Sequence, residues 1–270
     1  MHEFRLCYIS RTIDQAMYLS KPYSLPETTS STISINVLGR EMARPLVLCD
    51  FDNTISTSDV TDTLLQRFGM PGHEELEKDW VAGKIGSKEC MSGQIGLLNA
   101  SFDELNECLN QITIDPFFPQ FVKTVKKYNI DLHIVSDGLD YAIDAILQRY
   151  GLESIPIYAN HLIQTGERSW KLDFPYESAN CKKKSGHCKC IHTRRQSGDS
   201  LQIIYVGDGA SDYCVSQQTD WVLAKSNLID YCRKNQLNHS PIQTFADAEK
   251  LLPELLPEIF VPVTEDAILV

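Results

Sequence analysis

Four apolar residues, Leu46-Val-Leu-Cys49, run directly into Asp50-Phe-Asp52-Asn-Thr54. An unbroken apolar run of this length reads as a strand buried on both faces, the kind a parallel sheet uses. Carboxylates that follow such a strand stand at the carboxyl edge of the sheet, where open α/β folds bind ligands. Two acids held this close and out of water repel one another and lose hydration, so the rest of the chain must supply a cation or hydrogen bonds.

Two further apolar runs end in the same way. Leu132-His-Ile-Val135 leads into Ser136-Asp137-Gly138, and residues 201–206 lead into Gly207-Asp208-Gly-Ala-Ser-Asp212. Residues 155–158 and 221–224 are shorter strand candidates, and 160–175 reads as an antiparallel excursion around Gly166. Helical spacing marks 121–128, 139–150, 227–235 and 245–256. Strands alternating with helices predict a Rossmann-like, doubly wound parallel sheet. In that architecture the strand ends share one edge, so Asp50, Asp52, Ser136, Asp208 and Asp212 converge.

Residues 57–114 follow another rule. Val60, Leu64, Leu65 and Phe68 recur at helical spacing after Thr57-Ser-Asp59, and 73–81 reads as a second helix. Cys90, Met91, Ile95 and Leu98 mark a third, and Ser101-Phe-Asp-Glu104 is a capping box for a fourth. A single crossover needs one helix. The segment is therefore expected to be an inserted helical cap, with 42–56 and 115–270 forming the core domain. Residues 1–41 are Ser/Thr-rich from Thr28 to Ser34 and lack the basic start and apolar run of a signal peptide. They are expected to be a dispensable extension, with Met42 as an alternative or true start; the other reading is an ordered extension packed on the domain.

The formal net charge is −11, from 25 basic and 36 acidic residues. This balance opposes non-specific binding to nucleic acid or anionic membranes. No apolar stretch approaches the ~20 residues of a transmembrane helix. Nine scattered cysteines, an odd number, suit a reducing compartment and predict a cytoplasmic protein.

Clustered carboxylates with a hydroxyl at a neighbouring strand end suit phosphoryl transfer. Carboxylates hold Mg²⁺, a hard cation that prefers oxygen ligands. One of them can attack phosphorus, while a hydroxyl and a Lys bind the other phosphoryl oxygens.

Asp50-Phe-Asp-Asn-Thr54, Val135-Ser136 and Gly207-Asp-Gly-Ala-Ser-Asp212 resemble the first, second and fourth motifs of the haloacid-dehalogenase-like (HAD) phosphatases. The resemblance covers nearly all of 44–250. The helical insertion is placed as in the C1-cap subclass, IB, which includes phosphoserine phosphatases. The resemblance implies that Asp50 is the nucleophile and that Asp52 protonates the leaving oxygen, then deprotonates the hydrolytic water. It implies Mg²⁺ held by the Asp50 and Asp208 carboxylates and the Asp52 carbonyl, with Asp212 holding the metal's waters or orienting that shell. Ser136 would bind the phosphoryl group. Lys189 would be the third-motif lysine, in preference to Lys182–Lys184 in a charge run. Asn53, Thr54, Asp137 and Gly138 are the expected substrate contacts.

The implied substrate is a small phosphorylated metabolite. Tyr158-Ala-Asn-His161, Trp170, Phe174-Pro175, Cys188-Lys-Cys190 and Asn235-Gln-Leu-Asn-His239 resemble the phosphatases of bacterial methionine salvage, which act on 2-hydroxy-3-keto-5-methylthiopentenyl-1-phosphate. Asp137 departs from their Ser-Gly-Gly and looks more like the phosphoethanolamine/phosphocholine branch; phosphoserine is a further alternative. Asp137 either meets a substrate amine or hydroxyl, or caps the next helix and points away. Cys181, Cys188 and Cys190, with His187 and His192, present a zinc site, reduced thiols or a disulfide as alternatives. His133, Trp80, Trp170 and Trp221 are read as packing residues and His161 as a candidate contact. Two rival classes remain: a phosphotransferase or mutase using the same intermediate, and a non-catalytic binding module.

Overall fold

The computed structural model describes residues 35–37, 40–42, 44–181, 183–193 and 202–260. Strands β1 (Ile35–Val37) and β2 (Arg40–Met42) form a small antiparallel pair apart from the main sheet. Three-residue strands are too short for alternation to mark them in the sequence. Residues 1–34, on which the expected dispensable extension mainly rests, lie outside the described residues, as does Lys182.

The main sheet has seven strands: β3 (Leu46–Cys49), β4 (Asp131–Leu139), β5 (Ile157–Gly166), β6 (Ser169–Asp173), β7 (Ile203–Gly207), β8 (Trp221–Ala224) and β9 (His239–Pro241). Their order is β6-β5-β4-β3-β7-β8-β9. Neighbours run parallel except in the β5–β6 hairpin. All four residues of β3 are buried. Val47 and Cys49 enter one hydrophobic cluster and Leu46 and Leu48 the other, as a strand covered on both faces requires. The chain steps from β3 to β4 on one side and later returns to β7 on the other. The β4/β3/β7 junction is therefore a topological switch point. Cys49 is level with Ile134 and with Val206, so Asp50, Val135 and Gly207 stand at one height and the polar residues that follow share one edge of the sheet.

Four helices intervene between β3 and the core helix that precedes β4: α1 (Val60–Phe68), α2 (His73–Val81), α3 (Ser87–Gly96) and α4 (Phe102–Leu109). The two connections into this insertion lie side by side, with Ser56 bridging Ile114 and the Thr57 N–H donating to the Thr113 carbonyl at 3.0 Å. Helix α1 starts at Asp59, whose carboxylate accepts from the Asp62 N–H at 2.9 Å, and it buries Val60, Leu64 and Leu65. Ser101 and Glu104 form the expected capping box of α4. Helix α2 buries none of its residues, so its inner face is free to line a cavity. The β5–β6 hairpin braces the insertion. Trp170 Nε1 donates to the Ala100 carbonyl at 2.8 Å, and Arg168 pairs with Glu104 at 2.6 Å.

The core helices are α5 (Phe118–Lys127), α6 (Asp140–Gln148), α7 (Tyr213–Ser216), α8 (Ser226–Lys234) and α9 (Phe245–Leu255). Phe245 of α9 meets Phe118 and Phe121 of α5 at centroid distances of 4.7 and 5.2 Å on one face, while α8 carries Leu228 and Cys232 to the other. Three details depart from the sequence reading. Helix α5 begins at Phe118, because Pro119 fits a first helical turn. Strand β4 continues through Ser136–Gly138 with a register shift before Leu139. Strand β9 has only three residues and no alternation to reveal it. No helix among the described residues is long and apolar enough to cross a membrane.

Candidate active site

Beyond Cys49 the chain makes one tight turn. The N–H groups of Thr54, Ile55 and Ser56 all point to the Phe51 carbonyl, at 3.2, 2.8 and 2.9 Å. Phe51 is fully buried and anchors the turn in the core. Asn53 takes a left-handed φ of 56°, which Asn tolerates better than most residues. Asp50 is held by its N–H on the Val206 carbonyl at 2.9 Å and is 3% exposed.

Lys189 opens a short 3₁₀ turn (Lys189–Thr193) and is buried against the acids. Its Nζ donates to Asp50 Oδ1 and Asp212 Oδ1, both at 2.8 Å, and to Ser211 Oγ at 3.1 Å. Asp137 Oδ1 stands 3.5 Å away. Lys183 and Lys184 are exposed, as a solvated charge run would be. Burial opposes the Lys189 charge, but Asp212 and then Asp50 outweigh it and hold the ammonium well above the ordinary lysine value.

Asp212 is completely buried. Its Oδ1 accepts from the Tyr205 hydroxyl at 2.5 Å, and its Oδ2 accepts from the N–H groups of Asp208 and Gly209 at 2.9 and 3.1 Å. Burial pushes Asp212 up, yet Lys189 and these donors hold it below the usual carboxylate range. Asp50 goes the other way, raised by burial and by Asp212. Asp208 is pushed up to about 6 by burial and then Asp212. Asp50, Asp208 and Asp212 each offer an oxygen within 4.8 Å of the others. An oxygen-only donor set with excess negative charge fits a hard divalent cation. Asp212, expected to hold the metal's waters or to orient the shell around it, is the fully buried member of this trio.

Asp52 sits at the start of α1, where the Val60 N–H donates to Oδ1 at 2.8 Å. Ser136 Oγ points to Asp52 Oδ2 at 3.4 Å and accepts from the Gly138 N–H at 2.9 Å. Burial, then Asp59, raises the Asp52 carboxyl well above its ordinary value. A Cβ at Gly138 would stand 2.5 Å from Asp52 Oδ2, so a side chain here would displace that carboxylate.

A cavity of about 220 Å³ opens over these groups, between the sheet edge and α1–α3. Asp50, Asp52, Asn53, Asp137, Gly138 and Asp208 line it, whereas Ser136 and Lys189 stand behind the lining. Thr54 departs from its expected place. It is fully buried behind Asp208, donates to Asp208 Oδ1 at 3.3 Å and gives its carbonyl to Lys225 Nζ at 2.8 Å. Asp137 does not cap α6, whose N-cap position is Leu139. Trp80, read as a packing residue, is 37% exposed and lines the cavity. Trp170 is buried, and Trp221 donates to Ser240 Oγ at 3.1 Å. His161 pairs with Asp140 at 2.6 Å. The described cysteines are all free thiols. Among the described residues the acidic trio is the one group of three with metal-ligand spacing, so the zinc and disulfide alternatives for the Cys181–Cys190 loop find no geometry here. Burial, then Cys188 and Cys214, push Cys190 up to about 12, a protonated thiol.

Several site residues escaped the sequence reading. Lys225 follows β8 directly, so the strand-end rule that located Asp208 also reaches it. Tyr205 looks like an ordinary core residue until its hydroxyl finds Asp212. Glu77, Thr61 and Gln94 reach the cavity from the insertion, and no motif marks them.

A protein-family profile described as Putative Phosphatase matches residues 45–256. The chain belongs to this phosphatase family. The phosphatase is 31% identical over 224 residues to the 2-hydroxy-3-keto-5-methylthiopentenyl-1-phosphate phosphatase of Brevibacillus brevis, covering 81% of this chain and 100% of that one. It is also 31% identical over 222 residues to Pdp3-interacting factor 1 of Schizosaccharomyces pombe, covering 77% of this chain and 95% of the relative. Among solved structures, substrate-bound phosphoserine phosphatase superposes with a TM-score of 0.59 at 18% identity, over 78% of this chain and 99% of that one. The phosphatase thus has the HAD core fold and is a phosphoric monoester hydrolase of that group.

Proposed function

We propose that this phosphatase hydrolyses a small phosphorylated metabolite in a Mg²⁺-dependent reaction through an aspartyl-phosphate on Asp50. The carrying observation is the buried Asp50–Lys189–Asp212 constellation at the sheet edge, beside the three-carboxylate cluster. An Asp50 oxygen attacks phosphorus and the bond to the substrate oxygen breaks. Asp52, its carboxyl raised, donates the proton to that oxygen. Asp52 then takes a proton from water, which attacks phosphorus and releases phosphate and the Asp50 carboxylate. Lys189 offsets the phosphoryl charge, and Ser136 hydrogen-bonds the phosphoryl group. The Asp50 and Asp208 carboxylates, with the Asp52 carbonyl, would hold Mg²⁺, with Asp212 behind them to orient its waters; the ion would supply charge neutralisation for the dianion. The helices of 57–114 act as a cap that excludes bulk water over the substrate. The free thiols of the described cysteines favour the cytoplasm as its location.

The relatives point first to 2-hydroxy-3-keto-5-methylthiopentenyl-1-phosphate as substrate. A second reading, a phosphorylated amino alcohol such as phosphoethanolamine or phosphocholine, is favoured by the cavity's charge. Seven carboxylate residues line it, Glu77 and Asp137 among them, and no Lys, Arg or His does. Glu77 is held facing in by Gln94 Nε2 at 3.2 Å, with Trp80 beside it to meet a cation. Phosphoserine fits less well, since its carboxylate finds no cation there. A panel of these four phosphates with Mg²⁺ tests the reading. We expect at least one to reach a kcat/KM on the order of 10⁴ M⁻¹s⁻¹ or more. Hydrolysis of none, together with inert p-nitrophenyl phosphate, would remove the phosphatase reading; transfer to an added alcohol in place of water would make the enzyme a phosphotransferase.

Metal binding should depend on pH with a definite sign. Burial pushes both Asp59 and Asp208 up to about 6 in the folded chain. Folded values raised above unfolded ones contribute stability at low pH that is lost as pH rises through about 6. Mg²⁺ requires ionised carboxylates, so its contribution grows over the same window. Saturating Mg²⁺ should raise the melting temperature by several degrees near pH 7.5 and by clearly less near pH 5. Equal shifts at both values would contradict the carboxylate site.

A further inference from the structure

Ser136 and Lys189 reach the site from separate parts of the chain, and one side chain joins them. His187, two residues before Lys189, is 1% exposed. Its Nδ1 lies 2.6 Å from the Ser136 carbonyl oxygen. A carbonyl only accepts, so Nδ1 carries the hydrogen. Burial, then His192 and Lys189, holds His187 well below the usual histidine range, so the ring is neutral and its Nε2 accepts. His192 Nε2, 2.8 Å away, is then the donor to it. Tyr176 lies over the His187 ring at 4.9 Å and 29°, and the Tyr176 carbonyl accepts the Cys188 N–H at 3.0 Å. The residue between His187 and Lys189 is thereby fixed as well.

We propose that His187 is a positioning residue: its hydrogen bond to the Ser136 carbonyl locks the Lys189 loop to β4, so that Ser136 and Lys189 meet the same phosphoryl group. His187 lies outside the cavity lining and contacts neither Asp50 nor Asp52 in the hydrogen-bond network described above. It acts through the two groups it joins. Both must be placed to a fraction of an ångström, and a misplacement of about 1 Å can cost about 10²-fold in rate. This inference rests on the phosphatase reading.

The test uses the full chain with Mg²⁺ and p-nitrophenyl phosphate, and measures kcat, KM and inhibition by inorganic phosphate. His187→Asn keeps an N–H close to the place of Nδ1. His187→Gln carries its amide one bond farther out, and His187→Phe keeps the ring volume without a donor. We expect kcat to fall about 10²-fold in His187→Phe and His187→Gln, with phosphate inhibition weakened in parallel. His187→Asn should recover to within about threefold of wild type, because the donor decides and the ring does not. Equal impairment of the Asn and Gln variants, or unimpaired Phe or Gln variants, overturns the proposal. If His187→Phe does not fold, the Asn/Gln pair decides by itself. A wild-type chain that hydrolyses no phosphomonoester strikes the phosphatase reading instead. Calorimetric binding of inorganic phosphate with Mg²⁺ then ranks the same variants, and equal affinities for Asn and Gln overturn the positioning role.

Discussion

Asp50→Asn is expected to abolish phosphomonoester hydrolysis while leaving the fold intact. The amide has the shape of the carboxylate but cannot attack phosphorus. Loss of a nucleophile from a working constellation costs roughly 10⁴–10⁶ in turnover. Stability should change little. Asp50 is raised by burial and by Asp212, so removing its charge relieves repulsion, and Lys189 keeps Asp212 as its partner at 2.8 Å. We expect a stability change within about 1 kcal/mol. A folded variant that retains more than a few per cent of wild-type turnover would disprove the assignment of Asp50 as nucleophile.

The second large effect lies at Lys189. This ammonium meets Asp50 and Asp212 at 2.8 Å and Asp137 at 3.5 Å, with 2% of its side chain exposed. Lys189→Met keeps much of the length and leaves three acids without their cation. Breaking a buried ion pair by removing one partner costs about 3–5 kcal/mol. The same change removes the positive charge that faces the phosphoryl group, for an expected loss of roughly 10²–10³ in kcat. Chemical denaturation and steady-state kinetics on one preparation separate the two losses. Because Mg²⁺ offsets the charge of the acids left without their cation, added Mg²⁺ should recover part of the stability and little of the rate. Wild-type stability in Lys189→Met would mean that the three acids do not depend on this ammonium.

The sheet edge was legible because a parallel sheet turns a sequence rule into a spatial one. Cys49, Ile134 and Val206 are level in the sheet, so Asp50, Ser136 and Asp208 fall within two residues of one height. The number of helices in 57–114 was legible from apolar spacing and from the Ser101–Glu104 box. What those helices present to the substrate was not. Helix α2 buries nothing, so no apolar stripe fixed which side of it would face inward; Trp80 reads as a packing residue and no motif marks Glu77. Asp137 was ambiguous for a related reason. Its direction depends on a register shift in β4 that single-strand patterning does not encode. Asp212 looked subsidiary to Asp208 because sequence spacing carries no information about depth. Its complete burial and its bonds to Tyr205 and Lys189 make it the fixed point of the site. The loop from Cys181 to His192 invited a metal reading by composition, and the structure uses its histidine to hold Ser136 instead.

The account stands most directly on a covalent intermediate at Asp50. Rapid acid quenching of the enzyme during turnover of p-nitrophenyl phosphate with Mg²⁺, followed by peptide mass analysis, tests it in one step. We expect one added phosphoryl group on the peptide that contains Asp50, removed by hydroxylamine and missing from Asp50→Asn. Turnover at full rate with no acyl-phosphate, or with the phosphoryl group on any other residue, would contradict it.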